Sequence, residues 1–208
     1  MGGPINKNLM EDLLTEEQLS IISHEYKSGL YAICGVPNSG KTTSMRFLCK
    51  IKNAAMCERG SKNKSNPVML DNQWPNPHDF TIASDDSNCP SVRAMRKEYT
   101  GYSHLLYLKN YIKFCSKNYD IVCIDEPEFP LQYDGNEKDS VEAMKEVKQL
   151  ANDLGVILIM TTHCKDFLLL SDKAFFIDGR QVPATKPIPW EKHTELKQIV
   201  KKINNETL

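Results

Sequence analysis

Short uninterrupted apolar runs alternate along this chain with stretches in which apolar residues return every three or four positions. That alternation predicts buried strands separated by amphipathic helices. Leu30-Tyr31-Ala32-Ile33-Cys34, Ile121-Val122-Cys123-Ile124 and Val156-Ile157-Leu158-Ile159-Met160 are apolar throughout and too short to be helices. Strands apolar on both faces belong to a mainly parallel sheet with helices on either side. Ahead of the first run, Thr15-Glu16-Glu17-Gln18 forms a capping box, and Leu19, Ile22 and Tyr26 follow at helical spacing until Gly29. A second helix is expected over about residues 41–57, carrying Met45, Phe47, Leu48 and Ile51.

Residues 58–88 are rich in Asn, Pro, Ser and Asp and read as loops around one strand, Phe80-Thr81-Ile82-Ala83. Helical character returns at residues 91–97 and again at 104–115, where Leu105, Leu108, Ile112 and Cys115 share a face. A helix over 141–154 ends where Gly155 supplies a left-handed cap. Ala174-Phe175-Phe176-Ile177 reads as a late strand before the turn residues Asp178-Gly179, and Pro183, Pro187 and Pro189 stiffen the connection to a last helix over 190–203. The expected architecture is a three-layer α/β fold with a mainly parallel sheet flanked by helices, in a single domain spanning 1–208. Within it, 1–28 is a helical lead-in, 29–182 the core and 183–208 a Pro-rich connection with the closing helix.

Bulk composition changes this picture little. The 208 residues are 40% hydrophobic and 25% charged, ordinary globular values that argue against disorder. No run approaches the length of a membrane helix and the N-terminus has no apolar leader, so a cytoplasmic protein without membrane contact is expected. Seven cysteines without a C-x-x-C pair read as reduced thiols rather than a zinc site. A net charge of −1 gives no global field for nucleic acid, but Arg46, Lys50, Lys52, Arg59, Lys62 and Lys64 form a basic stretch that is a candidate DNA contact.

The chemistry concentrates in Gly35-Val36-Pro37-Asn38-Ser39-Gly40-Lys41-Thr42, a complete G-x-x-x-x-G-K-[ST] between a strand and a helix. The expected three-layer fold is therefore of the P-loop nucleoside-triphosphatase type, with 29–182 as its nucleotide-binding core. Gly35 and Gly40 let the backbone curl so that its N–H groups converge on phosphates at the positive end of the following helix. Lys41 is expected on the β/γ oxygens of ATP, Thr42 on Mg2+, and Thr43 on a phosphate oxygen, with Pro37, Asn38 and Ser39 completing the loop. A magnesium site also needs an acid at the end of a neighbouring strand, and Asp125 follows the run 121–124. Glu126 is then the candidate base for an attacking water. His163, beyond the run 156–160 and two threonines, should emerge at the same sheet edge and contact the γ-phosphate.

Together these residues resemble the ATP-binding cassette superfamily. Ile124-Asp125-Glu126-Pro127-Glu128 is similar to its second phosphate-site motif with catalytic glutamate, and Thr161-Thr162-His163 to its switch histidine. The segment from Leu170 to Arg180 is similar to the strand and glycine turn that follow. The resemblance is nearest to the soluble RecF-like and overcoming-lysogenisation-defect-like branch. It implies a Mg2+-dependent ATPase whose ATP cycle controls association with a second copy or a partner protein. The family's signature stretch has Tyr99-Thr100-Gly101-Tyr102-Ser103 as its candidate, and its glutamine loop Gln73. A RecA-like ring motor, with Arg180 as an available arginine finger, a small-molecule kinase and a nucleotide-dependent binding module without turnover remain alternatives.

Overall fold

The computed structural model of the chain describes residues 14–37, 39–57, 104–128, 131, 137–178 and 190–206. Among them, helix α1 (Glu16–Ser23) leads into strand β1 (Gly29–Gly35), helix α2 (Lys41–Ile51) and strand β2 (Ala54–Cys57). Helix α3 (His104–Cys115), strand β3 (Ile121–Asp125), helix α4 (Glu137–Asp153) and strand β4 (Ile157–Thr162) follow. A short helix α5 (Lys165–Leu168), strand β5 (Lys173–Ile177) and helix α6 (Trp190–Glu206) complete the order. The strand at 80–83, the helix at 91–97, Gln73, the stretch 99–103 and Arg180 lie outside the described residues, as do Asn38, Arg59, Lys62 and Lys64.

The five strands form one sheet in the order β2-β3-β4-β1-β5, every pair parallel. Side chains alternate across it with the period of two that a strand imposes. Leu30, Ala32, Cys34, Val122, Ile124, Leu158 and Met160 face a core closed by Leu108 and Ile112 of α3, Met144 and Val147 of α4, and Leu196 and Val200 of α6. Tyr31, Ile33, Cys123 and Ile159 face the opposite core, closed by Ile21 of α1 and by Met45 and Leu48 of α2. Both faces are therefore dry, which is why the strands read as unbroken apolar runs. This is the α/β fold with a parallel sheet flanked by helices that the alternation predicts.

Three local expectations need correction. The helix over 41–57 stops at Ile51; Lys52 and Asn53 turn the chain, and residues 54–57 form β2, in register with β3 from Ala54 opposite Ile121. Ala, Met and Cys carry no strong strand preference, so pairing with β3 decides their conformation against their local tendency. Helix α1 ends at Ser23, capped by the box Thr15–Gln18, and leaves Tyr26 outside it. Thr161 and Thr162 belong to β4, Thr161 standing between Ile33 and Asp125 in the sheet register. At the edge that β5 forms among the described residues, Asn204 of α6 accepts from the Ala174 N–H at 3.1 Å and donates to its carbonyl at 2.9 Å, satisfying groups that a neighbouring strand would otherwise take.

Candidate functional site

The strand order puts β4 between β1 and β3, so the loop after β1 and the acids after β3 flank the end of β4 along one edge of the sheet. At the end of β1 the chain turns through Gly35, with φ of +154°, where a Cβ would lie 2.4 Å from the Ile177 carbonyl oxygen and 2.8 Å from Ser39 Oγ. Gly40 is left-handed at φ of +97° and caps α2 without a side-chain hydrogen bond. Its Cα is covered by the Gln18 amide, which a Cβ would approach to 2.9 Å, so α1 buttresses the loop. The α2 N-terminus thus begins with backbone donors directed out of the helix.

Lys41 is buried, and its Nζ donates to the carbonyls of Gly35 and Val36 at 3.1 and 3.0 Å. Burial lowers the pKa of its ammonium, while Glu126 first and then Asp125 pull it back up. Ser39 Oγ is buried without a hydrogen-bond partner among the described residues. A hydroxyl orphaned against Gly35, in a loop that leads into a helix N-terminus and a buried lysine, fits an anion carrying several oxygens. Pro37 and Thr43 stand exposed at the rim.

Across the edge, Asp125 gathers two hydroxyls on one oxygen: Thr42 Oγ1 donates to Oδ1 at 3.0 Å and Thr161 Oγ1 at 2.5 Å. The first bond ties α2 to β3. An aspartate beside a threonine hydroxyl is the hard oxygen set that suits Mg2+, which takes few protein ligands and completes its octahedron with water and phosphate. The chain then turns sharply at Glu126, whose φ of +48° is left-handed and uncommon for a residue with a Cβ. Its N–H is shared between the Thr161 carbonyl at 3.2 Å and the Thr161 hydroxyl at 3.0 Å, which holds that conformation. Glu126 Oε1 lies 3.5 Å from His163 Nδ1.

The structure therefore brings Lys41, Thr42, Asp125, Glu126 and His163 to one rim, with Gly35, Ser39 and Gly40 shaping the loop beside them. Sequence reasoning missed Glu128, which is 2% exposed and accepts from the Thr162 hydroxyl at 2.9 Å and the His163 N–H at 3.2 Å. It also missed the Thr161 hydroxyl and the Gln18 buttress. The acid two residues beyond Glu126 and the doubled threonine were visible, but nothing local says which side chains meet.

Fold and site together define a protein of the P-loop nucleoside-triphosphatase fold. No protein-family model matches the chain, and no curated protein matches it in sequence. Among solved structures, a KaiC-like protein from the hyperthermophilic archaeon Pyrococcus horikoshii OT3 is similar at 14% identity and a TM-score of 0.46, over 77% of this chain and 76% of that one. Among the described residues, no helix is long and apolar enough to cross a membrane.

Proposed function

We propose that the protein is a Mg2+-dependent ATPase whose hydrolytic cycle governs association with a second copy or a partner. The observation that carries this reading is the bond from Thr42 to Asp125, which joins the phosphate loop to an acid pair whose second member, Glu126, lies beside His163. Gly35 to Gly40 would wrap the phosphates, with the Ser39 hydroxyl and the α2 amides as donors. Lys41 would leave its two carbonyl partners to neutralise the β/γ oxygens. Thr42 and Asp125 would hold Mg2+, which when bound would supply positive charge that offsets the negative charge of the phosphates as the bond between the γ-phosphorus and its leaving oxygen breaks. Glu126 would accept a proton from the water that attacks the γ-phosphorus, and His163 would register the γ-phosphate. Loss of that group then switches the contact surface through the strand ends that carry both residues.

The association reading draws on the sequence resemblance of residues 124–128 and 161–163. Glu126→Gln should retain MgATP but suppress turnover by about 10²-fold or more, within the range a general base supplies. Equal turnover in variant and parent would remove Glu126 from its role. Gel filtration of Glu126→Gln with and without MgATP then separates the outputs: a monomer-to-dimer shift supports controlled association, a larger ring supports a motor, and an unchanged monomer speaks against self-association.

A further inference from the structure

Glu128 has no part in the mechanism above, yet it is 2% exposed. Carboxyl groups enter protein interiors only against a desolvation penalty. Its Oε2 is buried without a hydrogen-bond partner among the described residues, while Oε1 accepts hydrogen bonds from Thr162 and His163. Those contacts converge on the end of β4: the Thr162 hydroxyl at 2.9 Å, the His163 N–H at 3.2 Å, and the His163 ring nitrogen Nδ1 at 3.6 Å. The Thr162 hydroxyl also accepts from the Cys164 N–H at 3.0 Å, so the turn leaving the strand is fastened to the same acid.

On its other side Nδ1 lies 3.5 Å from Glu126 Oε1. A bare Nδ1 lone pair would face two acceptor oxygens and be repelled by both; a protonated Nδ1 is attracted to both. Oε1 of Glu128 is an acceptor whether or not Oε2 carries a proton, so the selection does not depend on the ionisation of the acid.

We propose that Glu128 is a positioning residue for His163: its Oε1 fastens the end of β4 and, with Glu126, fixes the imidazole with its proton on Nδ1. A neutral ring held this way offers Nε2 as an acceptor, suited to a water molecule; it donates to a phosphate oxygen only as the cation. The kinetic consequence rests on the hydrolytic reading given above, whereas the tautomer does not.

The test is made on the full chain. Long-range 1H–15N correlation of the imidazoles, recorded at rising pH until the pattern is that of neutral rings, identifies His163 by the signal lost in His163→Asn. The expected pattern for the parent protein has the proton on Nδ1; a neutral ring protonated on Nε2 overturns the proposal without need of any variant. Glu128→Gln keeps an acceptor oxygen and should retain the Nδ1–H pattern and turnover within about threefold of the parent. Glu128→Met keeps the length but cannot accept, and should lose that pattern and at least about tenfold in kcat, with KM for MgATP within about twofold. Parent-like kcat and tautomer in Glu128→Met would also overturn it. Should the parent show no ATP turnover, the hydrolytic reading fails while the tautomer still decides the role of Glu128.

Discussion

Thr161→Val removes a single oxygen at the centre of the site. The Thr161 side chain is fully buried, and its hydroxyl donates to Asp125 Oδ1 while accepting from the Glu126 N–H. A hydrogen bond to a charged group contributes about 1.5–3 kcal/mol. The Glu126 N–H keeps the Thr161 carbonyl at 3.2 Å, so its share of the loss is smaller, about 0.5 kcal/mol. Replacing the hydroxyl by a methyl returns about 0.8 kcal/mol of apolar burial. The net expectation is a loss of about 1–3 kcal/mol, read as a lower urea midpoint at unchanged m-value. The functional loss should be larger than the stability loss suggests. A left-handed residue with a Cβ stores about 1–3 kcal/mol, and at Glu126 the Thr161 hydroxyl is one of two acceptors for the N–H that holds it. Released, residue 126 can relax and carry its carboxylate away, and a displacement of about 1 Å costs on the order of 10²-fold in rate. Single-turnover hydrolysis at saturating MgATP measures that loss, and Thr161→Ser, which keeps the oxygen, should restore most of it. A valine variant with parent stability within about 0.5 kcal/mol and parent turnover would refute the assignment of Thr161 as the clamp on both acids.

Lys41→Ala should weaken MgATP binding by about 10- to 100-fold, the value of one charge-assisted contact; calorimetric affinity equal to the parent's would show that Lys41 stays on its carbonyls. Gly35→Ala drives a Cβ to 2.4 Å from the Ile177 carbonyl, a backbone atom that cannot swing aside. It should destabilise the fold by about 2 kcal/mol or more by thermal or urea unfolding and impair nucleotide retention; an unperturbed protein would contradict the tight β1–β5 approach. Burial raises the Glu128 pKa above the ordinary 4.5, so between that value and the raised one the folded state binds more protons than the unfolded state. Stability therefore falls as pH rises through this window. Glu128→Gln lacks that loss, and urea midpoints measured upward from about pH 4.5 should move in the variant's favour; a constant difference would mean that Glu128 titrates normally.

The sequence by itself determined the features whose cause is local. Gly35 to Thr42 was legible as a candidate site because a phosphate cradle needs glycines and a lysine at fixed spacing. The capping box at Thr15 and the left-handed Gly155, at φ of +67°, were legible because cap chemistry is written in neighbouring residues. Apolar runs announced a sheet covered on both faces, and Asp125 and Glu126 could be placed at the end of one of its strands. The tertiary structure decided what depends on pairing across the chain. Residues 54–57 are a strand only because β3 offers them an edge. The strand order inserted β4 between the loop and the acids, which made Thr161 the bridge between Asp125 and the Glu126 backbone and turned Glu128 toward His163. A one-dimensional pattern fixes which face of an element is buried, through its period of two or 3.6 residues. It carries no information on which elements become neighbours, and hydrogen bonds between residues more than thirty positions apart, such as Thr161 to Asp125, follow from that adjacency alone.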